Sequence, residues 1–449
     1  MSLYTQIAAN VLFPLHERIK GHSTIEVFRA MEESQWYTPE QMQELQVRRL
    51  RDFLARIGST VPYYRSLFER LNFNPADLAS VAELQQLPLM GKPDIRANTD
   101  ALKAEGAVDL QRFNTGGSSG EPLIFFLGKE RVSHDVAAKR RATRWWDVDI
   151  GDTEIVVWGS PIELGSQDRI RRLRDGLFRT SLLPAFEMSE RNLDRFVAEI
   201  LRTRPRMLFG YPSSLHLIAR HARGKGVTLD NIGIKVAFVT SERLYDYQRE
   251  EIEAVFGCRV ANGYGGRDAG FIAHECPAGN FHITAEDVIV EIVDEAGQVL
   301  PHGETGEIVV THLATGDYPF VRYRTGDVGA LTRRNCECGR GLPLLEELQG
   351  RTTDFVIAED GSHVHGLALI YVLRDLPGIS SFKITQHSQQ AITVQIVRDD
   401  EYDPANESEI RAVFRARLGA GVLVDVEYVD AIAREKSGKF RYIVSHVQR

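Results

Sequence analysis

The sequence predicts an α/β protein: a large N-terminal domain with a helical lead-in, βαβ sheets and an antiparallel hairpin region, followed by a small α+β C-terminal domain. Three observations carry this expectation. A strand, a glycine- or proline-marked loop and a helix recur between Glu154 and Gly266, and such alternation implies parallel strands with helical crossovers. From Asp287 the apolar period falls to two, in Val288-Ile289-Val290-Glu291-Ile292-Val293 and Glu307-Ile308-Val309-Val310-Thr311, the pattern of strands joined by hairpins. Past Gly350, new hairpins, a helix and a strand fill the rest of the chain. At 449 residues the chain exceeds the roughly 250 to 300 at which one core stops growing, so two or three domains are expected. The boundaries fall at 1–350 for the N-terminal domain, with its lead-in over about 1–110, at 351–354 for a linker, and at 355–449 for the C-terminal domain.

Hydrophobic residues make up 43% and charged residues 26% of the chain, the balance of a globular protein with an ample core. The 54 Lys and Arg against 62 Asp and Glu leave a net charge of -8, so bulk charge gives no support to a nucleic-acid or anionic-membrane partner. Residues 1–14 are mildly apolar but lack a basic stretch before a long apolar run. No segment approaches the roughly 18 to 20 apolar residues of a membrane span. A cytoplasmic protein without membrane insertion, monomeric or homodimeric, is expected. Cys258, Cys276, Cys336 and Cys338 argue for metal binding or burial rather than a disulfide scaffold.

Between residues 24 and 98 apolar positions recur at three and four residues, as in Leu45, Leu50, Phe53, Leu54 and Ile57, which predicts helices. Pro62 closes one of them. The stretch 115–123, Thr-Gly-Gly-Ser-Ser-Gly-Glu-Pro-Leu, packs three glycines and three hydroxyls into nine residues. Its backbone N–H groups and hydroxyls can wrap a phosphate, although a Gly/Ser turn before a strand is also an ordinary loop, and the ending of a Walker loop is absent. Residues 133–146 read as a helix with Lys139, Arg140, Arg141 and Arg144 on one face, and 154–158 as a buried strand. Strand 207–209 then leads into Gly210-Tyr211-Pro212 and a helix over 213–223, and strand 236–239 into Thr240-Ser241-Glu242 and a helix to Phe256. Strand 259–261 leads into a loop, Asn262-Gly263-Tyr264-Gly265-Gly266. Ligands sit beyond the carboxyl ends of such strands, where these loops are expected to gather. Past Gly350 the pattern predicts hairpins over 355–364 and 384–397, a helix over 407–418 and a strand over 424–428.

Several of these stretches carry chemistry. Arg322-Tyr323-Arg324-Thr325-Gly326-Asp327 sets a carboxylate after a glycine turn, and a charged acceptor makes strong hydrogen bonds to a vicinal diol such as a ribose presents. A plain turn aspartate is the alternative. Tyr264 can stack on a purine whose edge Asn262 reads, and Asp268 can hold Mg²⁺, which takes one or two carboxylates plus the substrate's own oxygens. A packed tyrosine and a helix-start aspartate fit the same letters. Near the end, Gly438 can let Lys439 project into a nucleotide site and offset charge developing on phosphate and carboxylate oxygens; a surface charge run over 434–441 is the other reading.

The succession TGGSSGEPL, FGYPSS, TSERL, NGYGGRD, RYRTGD, GRTTD and SGKFR, in this order over most of the chain from Val61 onward, resembles the adenylate-forming ligase superfamily, in particular its phenylacetate:CoA ligase branch with capsule-biosynthesis-like members. The resemblance implies the adenylate-forming enzyme fold with a mobile C-terminal domain, and an AMP-forming acid-thiol ligase that uses ATP and Mg²⁺. ATP and a carboxylic acid give an acyl-adenylate and diphosphate; a thiol, here CoA, then displaces AMP. An amide synthetase or carrier-protein loading enzyme stays open, as does a nucleotide-binding scaffold of surface-polysaccharide assembly without turnover. Carried over by motif, Thr115, Gly116, Gly117, Ser118, Ser119 and Gly120 cradle the β and γ phosphates. Asn262, Gly263 and Tyr264 line the adenine, with Ser241 and Glu242 nearby. Asp327 and Arg351 hold the ribose, Asp268 the magnesium, and Lys439 serves adenylation from a domain that swings about 351–354. The chain departs from the family twice: Asp268 stands where Glu is usual, one methylene shorter, and Leu123 replaces a lysine that follows proline in many members.

Acyl pockets in the family lie beside the loops matching 158–161, 210–212 and 240–242, so Trp158, Phe209, Gly210, Tyr211 and Phe238 are candidates to line one. Aromatic walls favour an aryl or otherwise flat acid; plain core packing is the alternative. Cys276 and His282 form a C-x5-H pair and Cys336-Glu337-Cys338 a C-x-C pair. Four such ligands can close a tetrahedral, structural Zn²⁺ site, and similar sites occur in members of this branch. His274 is the second candidate for the histidine, Cys258 reads as buried, and unrelated thiols are the alternative because C-x-C is a tighter bite than the usual zinc knuckle.

Overall fold

The computed structural model describes residues 2–114, 123–158, 169–185, 188, 190–348, 355–432 and 442–447. Two compact units divide the chain: Met1–Thr115 with Leu123–Gly151 and Ala261–Gly350, and Gly116–Pro122 with Asp152–Val260 and Arg351–Arg449. Thr115 to Gly120, Arg351, the 351–354 segment and Lys439 lie outside the described residues.

The first unit opens on helices. Helix Pro39–Thr60 starts where Thr38 and Gln41 satisfy each other's backbone N–H groups in a capping box, with Pro39 in the first turn, where its missing N–H costs nothing. It buries Met42, Leu50, Phe53, Leu54 and Ile57, and Pro62 begins the next helix, Pro62–Leu71. Helix Lys129–Arg144 turns part of its basic face inward. Arg140 and Arg141 are 5% and 1% exposed. Arg140 Nε donates to Asp149 Oδ1 at 2.8 Å, Arg144 Nη1 donates to Asp149 Oδ2 at 2.6 Å, and Arg141 pairs with Glu286. Removing one member of such a buried pair costs about 3 to 5 kcal/mol, because the other charge stays buried.

Behind these helices runs an antiparallel sheet. Val288–Val293 pairs with Gly306–His312, which pairs with Tyr323–Thr332; Leu344–Leu348, Phe281–Ile283, Gly270–Glu275 and Arg259–Gly266 follow in that order. The period-two pattern is realised in the register Val288↔His312 to Val293↔Glu307. A correction to the sequence reading falls here. Asn262 to Gly266 form no loop but continue the strand Arg259–Gly266, with Gly263 opposite His274 and Tyr264 opposite Ala273. Glycine lets them do so, since a Cβ on Gly265 would lie 2.2 Å from the Gly270 carbonyl oxygen across the hairpin. Asp268 consequently sits in the tight turn 267–269 rather than at a helix start.

In the second unit, Val236–Thr240, Met207–Gly210, Glu154–Trp158 and Thr180–Pro184 lie side by side and parallel. Helices Glu190–Thr203, Pro212–Gly224 and Asp246–Phe256 pack on them through Phe196, Ile200, Leu215, Ile218, Ile252 and Phe256. The C-terminal residues form their own core. The hairpin Ile379–Ser388/Ala391–Arg398 is extended by parallel strands Leu423–Tyr428 and Ile443–Ser445 and covered by helices Gly366–Asp375 and Ala405–Leu418. Helix Gly366–Asp375 was not foreseen, because its near-continuous apolar run has no clear helical stripe. Among the described residues no helix is long and apolar enough to cross a membrane.

Candidate active site and metal centre

The candidate nucleotide residues of the first unit stand on two neighbouring hairpins. Between the pairs Glu307↔Val328 and Val309↔Arg324 the strand Tyr323–Thr332 bulges, with Gly326 at φ 78°, a conformation glycine adopts without a Cβ clash. The bulge is pinned by the Gly326 N–H donating to Glu307 Oε1 at 3.2 Å and the Asp327 N–H donating to Thr325 Oγ1 at 3.1 Å. It turns Asp327 outward, half-buried, where its Oδ2 accepts the Tyr264 hydroxyl at 3.0 Å. Asp268 is likewise half-buried, and its Oδ2 accepts the Tyr323 hydroxyl at 2.7 Å. Each carboxylate is thus oriented by one phenol. Tyr323 was missed by sequence reasoning, although its place two residues before the Thr-Gly-Asp bulge puts it on the same face as Thr325. The Asn262 N–H donates to Glu275 Oε2 at 2.9 Å.

The other candidates belong to the second unit. Trp158 ends its strand and Tyr211 follows the end of the next; their rings stack at 4.3 Å and 18°. Phe209 lies 5.8 Å from Trp158 and 5.9 Å from Phe238, so the four rings form one wall. Phe238 is wholly buried and backs it. Gly210 serves strand packing, since a Cβ there would come within 2.5 Å of the Val157 carbonyl oxygen. Ser241 takes a left-handed turn at φ 70°. Glu242 Oε2 accepts the Ser213 N–H at 3.2 Å, at the start of helix Pro212–Gly224, where the helix dipole favours an anion. Half-buried Arg417 stands near Glu242: desolvation pushes its guanidinium down to about 10, opposed by that carboxylate.

The metal candidates converge. The donor atoms of Cys276, His282, Cys336 and Cys338 all lie within 4.8 Å of one another. Cys276 Sγ is 3.6 Å from Cys336 Sγ and Cys338 Sγ is 3.2 Å from His282 Nε2, close to the roughly 3.5 to 3.8 Å between donors of a tetrahedral zinc at about 2.0 to 2.3 Å. His282 Nδ1 faces the Leu342 carbonyl oxygen at 3.3 Å, which leaves Nε2 for a metal. Burial lowers this imidazole to about 4, so it is neutral at pH 7, and burial pushes the Cys276 thiol up to about 12. At Cys338, hydrogen bonds from Arg340 outweigh burial and lower the thiol. The C-x-C bite is accommodated by a tight turn, in which the Cys338 N–H points at Cys336 Sγ at 3.5 Å and the Gly339 N–H donates to the Cys336 carbonyl at 3.1 Å. Around the cluster, Arg340 lies over Trp36 and Trp145, at 5.0 and 4.6 Å, and Gln35 Oε1 accepts from both Arg340 Nε and Trp145 Nε1. His274, the second candidate, is stacked on Phe271 at 5.3 Å and is not among the four. Cys258 is buried in the apolar core of the second unit.

Comparison with known proteins points one way. Residues 180–315 match the AMP-binding enzyme family and residues 356–446 the CapK C-terminal domain. Protein CapK of Staphylococcus aureus is 24% identical over 90% of this chain and 89% of its own length. The phenylacetate-coenzyme A ligase of Thermus thermophilus is 26% identical over 87% and 86%. Among solved structures, 2-hydroxyisobutyryl-CoA ligase in complex with 2-HIB-AMP and CoA superposes with a TM-score of 0.63 over 90% of both chains at 20% identity, a shared fold. The chain belongs to the adenylate-forming ligase superfamily, in its phenylacetate-CoA ligase-like and CapK-like branch, as an AMP-forming acid-thiol ligase.

Proposed function

We propose that this chain activates a carboxylic acid, aryl or similarly flat, to an acyl-adenylate and passes the acyl group to CoA, in the cytoplasm. A carboxylate oxygen attacks the α-phosphorus and diphosphate leaves; the CoA thiolate then attacks the acyl carbon and AMP leaves. Two carboxylates on adjacent hairpins, each aimed by a tyrosine, carry the reading: Asp268 through Tyr323 and Asp327 through Tyr264. In this scheme Asp327 and Arg351 hold the ribose, Asn262, Gly263 and Tyr264 serve the adenine, as do Ser241 and Glu242, and Thr115 to Gly120 serve the phosphates. Asp268 holds Mg²⁺, which when bound neutralises phosphate charge. Lys439, carried on a lid of residues 355–449 that swings about 351–354, stabilises charge in the adenylation step. Trp158, Phe209, Gly210, Tyr211 and Phe238 form the acyl wall, and Cys276, His282, Cys336 and Cys338 hold a structural Zn²⁺.

Acid-dependent exchange between ATP and labelled diphosphate, over a panel of aryl and aliphatic acids, tests the reading. Exchange with at least one acid is expected, followed by CoA-dependent release of AMP. Tight ATP binding without exchange for any acid overturns the ligase in favour of a scaffold, and AMP release with amines but not CoA makes the chain an amide synthetase. Lys439→Ala is expected to slow exchange about 100-fold or more while sparing thioester formation from supplied adenylate.

A further inference from the structure

The N-terminal helical segment, Leu3–Ile7, Ala8–Leu12 and Phe13–Lys20, has two unlike faces. Thr5, Ala8, Ala9, Phe13 and Glu17 are buried against the first unit, whereas Leu3, Ile7, Val11, Leu15 and Ile19 are 74%, 43%, 57%, 55% and 78% exposed. Five large aliphatic side chains at strict four-residue spacing on one open face are unusual on a solvated surface. Four residues of α-helix turn through about 400°, so such a row drifts by about 40° at each step. The wider π turn Ala8–Leu12 takes up an extra residue and turns the row back, keeping it in line with the axis. Such turns are rare and recur at functional places.

We propose that this face pairs with the same face of a second copy of the chain, antiparallel about a two-fold axis at Val11. The row is self-complementary in that sense: Leu3 meets Ile19 of the copy, Ile7 meets Leu15, and Val11 meets itself, so every level matches in bulk. No charged residue lies between Leu3 and Leu15, and antiparallel stacking therefore meets no repulsion there. The row runs along the axis, which lets two helices touch over their whole length at a shallow crossing angle. Burying each aliphatic side chain removes roughly 60 to 120 Å². Five per copy, with the flanks of Gln6, Asn10 and Arg18, give about 1,000 Å² in total, the lower bound of a specific interface. A membrane surface fits less well: the edges of the row carry Gln6 and Asn10, the basic Arg18 and Lys20 lie only at its end, and the chain is net acidic.

Sedimentation of the full chain from about 1 to 100 µM should show a monomer–dimer equilibrium. Val11→Asp, which sets two like charges against each other on an exposed position, should raise the dimer Kd at least about 100-fold with an unchanged circular dichroism spectrum. Val11→Cys should cross-link to itself under mild oxidation, whereas Leu15→Cys should not, because its copies stand about 12 Å apart along the axis; Ile7→Cys mixed with Leu15→Cys should cross-link. A chain that stays monomeric, a dimer indifferent to Val11→Asp, or self-linking of Leu15→Cys as efficient as that of Val11→Cys overturns the proposal. So does a monomer that binds phosphatidylserine vesicles and loses that binding in Val11→Asp.

Discussion

The Cys276, His282, Cys336, Cys338 cluster and the Asp268, Asp327 pair hang on opposite ends of the same strands. Strand Gly270–Glu275 has Asp268 in the turn before it and Cys276 directly after it; strand Tyr323–Thr332 carries Asp327 early and leads to Cys336. Six strand residues separate the two ends by about 20 Å. At one end the chain supplies everything a site needs, with four donors within 4.8 Å of one another and an orienting carbonyl at Leu342. At the other end each carboxylate is held by one tyrosine and is half open to solvent, so the chemistry is completed by what binds. A closed site and an open site built on one sheet should therefore fail differently: the first in stability, the second in rate.

Loss of the metal should give the largest effect. Protein purified without chelator should contain about one zinc per chain, and its removal, or Cys336→Ala, should cost on the order of 5 kcal/mol, lowering Tm by roughly 10 °C or more. Because burial holds the Cys276 thiol near 12, metal binding must displace protons, so zinc affinity should fall as pH is lowered from about 8 to 6. Calorimetry in buffers of different ionisation enthalpy would read the released protons. A zinc-free protein with an unchanged melting temperature would end the structural role of the cluster.

Asp268→Ala comes next and should behave in the opposite manner: kcat/KM for diphosphate exchange down about 100- to 1,000-fold, with stability within about 0.5 kcal/mol of the parent. Asp268→Glu restores the longer side chain usual in the family and should preserve exchange. Its failure to do so would mean that the hairpin turn 267–269, not the side chain's length, sets the metal position.

Much of this contrast was legible in the letters, unevenly. The strand and helix alternation over 154–256 and the period-two strands after 287 follow from burial on two faces or one, which apolar spacing records. The clustering of Cys276, His282, Cys336 and Cys338 was legible because cysteine and histidine are scarce and their loops short. The basic face of Lys129–Arg144 was legible as a helix face, but its burial was not, because the partner of Arg141, Glu286, is far along the chain and local spacing cannot show a buried pair. Asn262 to Gly266 were misread as a loop because glycine-rich segments normally turn, and only the close approach of Gly270 makes them a strand. Tyr323 was overlooked for a related reason: its hydroxyl matters through Asp268, a partner in another hairpin.

The supporting residues should show the same contrast at smaller scale. Arg340→Ala removes the cation between Trp36 and Trp145 and the donors beside Cys338, and should weaken zinc binding about 10- to 100-fold while exchange with zinc-loaded protein stays normal.

Tyr323→Phe should have the mildest effect and is the most diagnostic. It deletes one hydrogen bond to a carboxylate, worth roughly 1.5 kcal/mol, and leaves the buried ring in place, so Tm should barely move. If the hydroxyl aims Asp268, exchange should fall about 10-fold, and part of the loss should return at high Mg²⁺, because a carboxylate free to rotate binds the ion more weakly without losing its charge. A fall that Mg²⁺ does not relieve would assign the Tyr323 hydroxyl to the substrate instead, and the open end of the sheet would then have one carboxylate fewer in the metal's service than its geometry suggests.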